Sequence, residues 1–329
     1  MCLSYSDIIS VFRHKSLNKL ENKEINLVSE NGDFVIKVKD VSKDYGKFRA
    51  LDSMSFTVPK GSIYGLVGRN GAGKTTVMRI ISGLQSPTKG TVEYGFDHKK
   101  LGNVGALVEL PSIYSNYSAK DNLIFQYMNL GLKIDGSIDE NLRFVGLGNT
   151  GSKRAGKFSL GMRQRLGIAM AMCGNPEVLI LDEPINGLDP QGIIQIRDLL
   201  IKLNKEKGIT IIISSHILSE LSKLATDFAF VEAGKVIKEI KAEELENVGG
   251  LVTEFYTGTP DKLIPVLNSK GLQTTYEPGS NMVCAKGYYN LTNVVTAAND
   301  AGVNIARVVT KETDLETYFV KLVGGESNA

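Results

Sequence analysis

Alternating apolar and polar residues mark the first readable elements. Val35 to Val41 and Ser53 to Val58 alternate in this way and predict strands with one buried face. Ser62 to Val67 is more continuously apolar, the pattern of a strand covered on both faces. A glycine-rich turn from Gly68 to Gly73 follows, and Thr75 to Leu84 then takes up helical spacing, with Gly83 and Pro87 marking its end. Between about Pro111 and Met172 the strand pattern vanishes. Ser118 with Asp121 three places later is the sequence of a capped helix start, so this stretch predicts a helical insertion. Strands return at Val178 to Leu181 and Thr210 to Ser214, with a helix near Gly192 to Lys207 between them. That alternation predicts an α/β fold with a mostly parallel sheet.

Beyond about Gly249 the pattern changes. Leu251 to Tyr256, Leu272 to Tyr276, Met282 to Ala285 and Val303 to Val309 read as strands. Pro260 to Leu267, Leu291 to Ala301 and Asp314 to Val323 read as helices, which gives the order β-α-β-β-α-β-α and predicts a small ferredoxin-like α+β domain. The first residues are polar and mixed, with a short helix expected from Tyr5 to Leu17. The expected divisions are an N-terminal extension over 1–33, a core over 34–246 with its helical subdomain at about 110–172, and an accessory domain over 247–329.

Composition narrows the function. The chain has 329 residues, 42% hydrophobic and 22% charged, and a formal net charge of +2, so no global field argues for wrapping nucleic acid. No window approaches the ~20 apolar residues of a membrane span. The start lacks the apolar core of a signal peptide, which makes the cytosol the expected compartment. Cys2, Cys173 and Cys284 are too far apart for a metal spacing and read as reduced thiols.

The chemistry lies in the core. Gly68-Arg69-Asn70-Gly71-Ala72-Gly73-Lys74-Thr75, followed by Thr76, fits a phosphate-binding loop between a strand and a helix. Glycines let backbone N–H groups and a helix N-terminus face phosphate oxygens; Lys74 would neutralise β- and γ-phosphate charge, and the Thr75 hydroxyl would hold Mg²⁺. Val178-Leu179-Ile180-Leu181-Asp182-Glu183 places two carboxylates at the C-terminal end of a buried strand, where α/β sheets bind ligands. Asp182 is the second expected anchor for Mg²⁺, and Glu183 is placed to polarise an attacking water.

Phe158-Ser159-Leu160-Gly161-Met162-Arg163-Gln164-Arg165 resembles the signature of ATP-binding cassette (ABC) ATPases. Asn186-Gly187-Leu188-Asp189 resembles their D-loop, His216 their switch histidine, and Tyr45 their adenine-stacking aromatic. The signature carries Leu160 for a glycine and Met162 for a glutamine, while Ser159 and Gly161 are kept. Glu109 stands where the family has its Q-loop glutamine, and a carboxylate there still reaches Mg²⁺ or its water shell. This substitution, with the signature and the run from Ile213 to Leu221, resembles the bacitracin and lantibiotic self-protection branch of ABC exporters.

The resemblance implies a P-loop NTPase core that binds and hydrolyses ATP with Mg²⁺, and a homodimer in which Ser159 and Gly161 of one copy close over the nucleotide of the other. It further implies a membrane-spanning permease encoded separately, touched by the surface from Leu110 to Tyr117, and a place on the cytoplasmic face of the membrane. The rival class, a soluble ABC ATPase acting on ribosomes or nucleic acid, resembles paired cassettes or carries a long coiled-coil insertion. This chain has one cassette and only about fifty residues between Glu109 and Ser159.

Overall fold

The computed structural model describes residues 34–109, 111–244, 251–286 and 290–312, together with Leu315, Tyr318, Phe319 and Leu322. The helix expected at Tyr5 to Leu17, and most of the one expected at Asp314 to Val323, lie outside these residues.

Strand β1 (Phe34–Tyr45) and strand β2 (Phe48–Pro59) form a hairpin, and β4 (Lys89–Tyr94) pairs with β1 on its other side, giving a 3-stranded antiparallel sheet. Behind it stands a 6-stranded sheet of β3 (Ile63–Val67), β5 (Val104–Leu107), β6 (Val178–Asp182), β7 (Thr210–Ser215), β8 (Asp227–Glu232) and β9 (Lys235–Lys241), in the order β5-β6-β7-β3-β8-β9. Every neighbouring pair in it is parallel except β8 with β9.

The central strands are apolar throughout because each face meets its own core. Ile63, Leu179, Leu181, Ile211, Ile213, Phe228 and Phe230 point to the side of the helical insertion, while Tyr64, Leu66, Val178, Ile180, Ile212 and Ala229 point to the antiparallel sheet and to α1 (Lys74–Ile81). Consecutive side chains on a strand alternate faces, so a single run builds both cores.

The helical insertion contains α2 (Ala119–Asn129), α3 (Ser137–Phe144) and α4 (Leu160–Ala171). Its first helix starts as expected: the Ser118 hydroxyl accepts from the Asp121 N–H, and the Asp121 carboxylate accepts from the Ser118 N–H. Asn122, fully buried, donates through Nδ2 to the carbonyls of Tyr114 (3.2 Å) and Ser118 (2.8 Å), while its Oδ1 accepts from the Tyr114 N–H (2.8 Å). One amide thereby fixes the loop before the helix. Tyr114 and Tyr117 in that loop remain 44% and 49% exposed, each set edge-on to Phe125.

Helix α5 runs over Pro190–Lys207 and begins two residues before the expected start. Asp189 caps it, and proline is well suited to a first helical position, where its missing N–H removes no bond. Helix α1 ends at Ile81, short of Leu84. Strands β4, β5, β8 and β9 go unread in the pattern. β5 is four residues with an internal glycine, since a Cβ at Gly105 would lie 2.1 Å from the Ala171 carbonyl oxygen, and β4 and β9 are exposed polar edge strands.

After a short helix α6 (Leu218–Leu221), the last described part has its own core around Phe255, Leu263, Leu267, Val283 and Val294. Strands β10 (Leu251–Thr257), β11 (Gln273–Tyr276), β12 (Met282–Lys286) and β13 (Ile305–Glu312), with α7 (Pro260–Ser269) and α8 (Leu291–Asp300), form a 4-stranded antiparallel sheet in the order β11-β12-β10-β13. That order with that connectivity is the ferredoxin-like arrangement expected from the sequence. Leu315 and Phe319 return to the core on the helical-insertion side of the six-stranded sheet, where the Tyr318 and Phe319 rings lie 5.3 and 6.0 Å from Phe230 on β8.

Asn122→Ala should release the loop at Tyr114 to Ser118 and lower stability by about 2 kcal/mol, because it removes three hydrogen bonds of a buried amide and leaves the Tyr114 N–H without its acceptor. Chemical denaturation checks this, with a loss below about 0.5 kcal/mol counting against the clamp.

Candidate functional site

The strand ends converge at one place. β3 delivers the chain into the turn from Gly68 to Gly73, and α1 leaves it. Glycine is required at Gly68, where a Cβ would sit 2.4 Å from the Val231 carbonyl oxygen. Gly73 is needed twice over, with φ 108° and a Cβ that would meet Leu51 at 2.7 Å. The loop is also held from outside, since the Gly234 N–H donates to the Ala72 carbonyl at 3.0 Å. Arg69, Asn70 and Gly71 form its exposed tip, and Thr76 is half-buried on the first turn of α1.

Lys74 is 5% exposed, and its ammonium donates back to the carbonyls of Gly68 (2.8 Å) and Arg69 (3.3 Å). Burial draws its pKa below the ordinary lysine value, and the nearby Glu183 and Asp182 carboxylates oppose that shift. Its hydrogen bonds go only to neutral carbonyls, which the oxygens of an anion can replace. At the mouth of the loop the Thr75 hydroxyl donates to Asp182 Oδ2 at 2.7 Å.

Asp182 is 6% exposed, and its second oxygen accepts from Ser214 at 2.5 Å. The same Ser214 oxygen accepts the Glu183 N–H at 2.9 Å. Glu183 has φ 51°, and its Oε2 lies 2.6 Å from His216 Nδ1 and 3.4 Å from the His216 backbone nitrogen. Both contacts fall on Oε2, which leaves Oε1 to receive a hydrogen from water. Lys74, Thr75, Asp182, Glu183 and His216 thus stand together at the ends of β3, β6 and β7.

Glu109 is not brought to Thr75 and Asp182. It stands two residues past β5 with φ 70°, and its carboxylate pairs with the Arg79 guanidinium. Tyr45 ends β1, 40% exposed; its hydroxyl donates to Gln85 at 2.6 Å and the Lys43 ammonium lies 5.5 Å from its ring centre.

Ser159 caps α4, accepting the Met162 N–H at 3.2 Å, so the helix starts at the residue the signature requires. Asp189 caps α5 in the same way, accepting the Gly192 N–H at 2.8 Å. The two starts face each other across a cleft of about 250 Å³ lined by Ser159, Leu160, Gly161, Arg165, Gly187 and Asp189 among others. Leu160 occupies the space a glycine would leave, its Cδ2 3.4 Å from where a Cβ of Gly187 would sit, so the cleft persists beside it. Ser214 joins the site from outside any motif, and a serine closing the run Ile211-Ile212-Ile213-Ser214 is its one local signal.

The profile of the ABC transporter family matches residues 51–186. The bacitracin transport ATP-binding protein BcrA of Bacillus licheniformis is 40% identical over 301 residues, which span 88% of this chain and 98% of that protein. The chain belongs to the ABC transporter family. The lantibiotic transport ATP-binding protein SrtF of Streptococcus pyogenes is 42% identical over 217 residues, 65% of this chain and 94% of its own length. Among solved structures, a dimeric ATP-binding cassette in a post-hydrolysis state with ADP and phosphate superposes with a TM-score of 0.55 at 26% identity, covering 63% of this chain and 98% of that one. The ABC cassette therefore accounts for the phosphate loop, and the ligand it binds is ATP.

Lys74→Met separates ligand binding from folding. Because the ammonium is desolvated in the free protein, its removal should leave the thermal midpoint unchanged or higher without nucleotide. It should also erase the rise in midpoint that ATP gives the parent, a loss of at least about tenfold in affinity. A retained ATP-induced rise in differential scanning fluorimetry counts against Lys74 as the phosphate cation.

Proposed function

We propose that the chain is the ATP-hydrolysing subunit of a bacterial ABC exporter that moves a peptide antibiotic or another hydrophobic compound through a separate membrane subunit. The observation that supports the hydrolytic part is the gathering of Lys74, Asp182, Glu183 and His216, in which Thr75 and Ser214 hold Asp182, Ser214 and His216 hold Glu183, and the Lys74 ammonium lies beside them on the loop carbonyls. The names of the relatives, which speak of bacitracin and lantibiotic transport, support the substrate class. They also favour transport over a soluble ATPase acting on ribosomes or nucleic acid.

The backbone N–H groups of Gly71 to Lys74 and the N-terminus of α1 receive the β- and γ-phosphates, with Lys74 exchanging its carbonyl partners for phosphate oxygens. The Thr75 hydroxyl and Asp182 carboxylate suit Mg²⁺: both are hard oxygen donors and lie 2.7 Å apart. Bound there, Mg²⁺ would supply charge neutralisation of the polyphosphate. Glu183 Oε1 orients a water and takes its proton, while His216, held at Oε2, faces the departing phosphate. Tyr45 offers its exposed ring to the purine.

Two copies meet head to tail, so that Ser159, Gly161 and the start of α4 in one copy close over the ATP of the other, with Asp189 beside them. ATP at that seam draws the copies together, and loss of the γ-phosphate lets them part. No helix among the described residues is long and apolar enough to cross a membrane. The exposed Tyr114 and Tyr117, in the loop that Asn122 ties at Tyr114 and Ser118, form the surface for the membrane subunit, on its cytoplasmic side.

Glu183→Gln keeps the hydrogen-bonding shape and removes the base. It should bind ATP with affinity near the parent's and hydrolyse it about 10² to 10⁴ times more slowly, with dimer accumulating in ATP on size-exclusion chromatography. Turnover equal to the parent's would remove Glu183 from the chemistry.

A further inference from the structure

Two adjacent strands of the six-stranded sheet finish alike. β5 and β6 run in register with Leu107 beside Leu181, and two residues past each leucine stands a glutamate, Glu109 and Glu183. Both have left-handed backbone, φ 70° and 51°. That conformation is disfavoured for residues with a Cβ and is concentrated where function holds a side chain in place. Each carboxylate has a basic partner: His216 for Glu183, and the Arg79 guanidinium for Glu109.

Arg79 is placed to act on the metal site. It follows Thr75 by four residues on α1, so the two side chains share one helix face a turn apart. Thr75 reaches Asp182, and Arg79 reaches Glu109. Without Arg79, a third carboxylate would join Asp182 and Glu183 at the ends of two neighbouring strands. It would repel polyphosphate and attract a divalent cation. The side chains of Arg79 and Glu109 are 35% and 62% exposed, so the pair is weak as a structural tie and open to exchange with ligands.

We propose that Arg79 is a positioning residue that holds the Glu109 carboxylate away from the metal and phosphate site, and thereby sets how much Mg²⁺ the site needs. This rests on the ATPase reading above. The guanidinium keeps Glu109 parked while the loop is free, and exchange of that contact is what admits Glu109 to the metal's oxygen or water shell.

The test measures the ATP-induced rise in thermal midpoint, and ATP turnover beside it, for the purified full chain against Mg²⁺ concentration at fixed ATP, in two backgrounds; the half-saturating Mg²⁺ concentration is read from both. Arg79→Ala should lower the half-saturating Mg²⁺ concentration by about threefold or more, because it frees Glu109. With Glu109→Gln already present, the same change should move it by less than about 1.5-fold. Arg79→Lys, which keeps the charge and loses the fork, should fall between parent and Arg79→Ala. Equal shifts in both backgrounds, or no shift in either, overturn the proposal. If Arg79→Ala does not fold, Arg79→Gln and Arg79→Lys carry the same comparison. A parent that shows no Mg²⁺-dependent turnover would instead sink the ATPase reading.

Discussion

The site is organised around one buried carboxylate. Asp182 accepts from Thr75 on one oxygen and from Ser214 on the other, and so ties the phosphate-loop helix, β6 and β7 at a single point. A buried carboxylate is costly unless its oxygens are satisfied. Here both are satisfied by hydroxyls. The neighbouring cation, Lys74, donates to carbonyls and feels the Glu183 and Asp182 carboxylates, which partly offset the cost of its burial. The fold thus carries opposite charges that sit near one another, each hydrogen-bonded to neutral groups.

Strand order explains why these groups meet. β3 lies between β7 and β8, and β6 lies beyond β7, so residues far apart in sequence reach the same sheet edge. Thr75 and Asp182 are 107 positions apart and share a hydrogen bond. Two aromatic rings that follow the ferredoxin-like strands join the same frame. Tyr318 and Phe319 pack on Phe230 of β8, the strand that flanks β3 and whose following turn holds the phosphate loop through Gly234 and Ala72. Tyr318 and Phe319 are therefore anchored one strand away from the nucleotide loop.

Much of this was legible in the residues. The phosphate loop, the paired acids and the signature each sit where a strand or helix boundary is written in local terms: glycines, a charged end to an apolar run, a serine cap. The four strands of the ferredoxin-like unit were legible for the same reason, since each is bounded by turn residues and by a helix of regular spacing. What stayed hidden depends on partners distant in sequence. β5 exists because Ala171 and Leu179 leave room only for Gly105, and its four residues carry no periodicity. Ser214 looks like any residue closing a strand until Asp182 is beside it. Arg79 looks like a solvated helix residue until Glu109 turns toward it.

The two left-handed glutamates show where the fold departs from local preference. A glycine at either position would relieve the backbone, so each side chain is kept at a local cost. Glu183 has its backbone nitrogen fixed by Ser214 and its carboxylate fixed by His216, and so is held at both ends. Glu109 has its carboxylate on Arg79, exposed to solvent, and follows a strand of only four residues. The first is fixed by three contacts and the second by one exposed ion pair. Rigidity at β6 and latitude at β5 divide one sheet edge into a fixed part and a part free to move, next to the aromatic loop at Tyr114 and Tyr117.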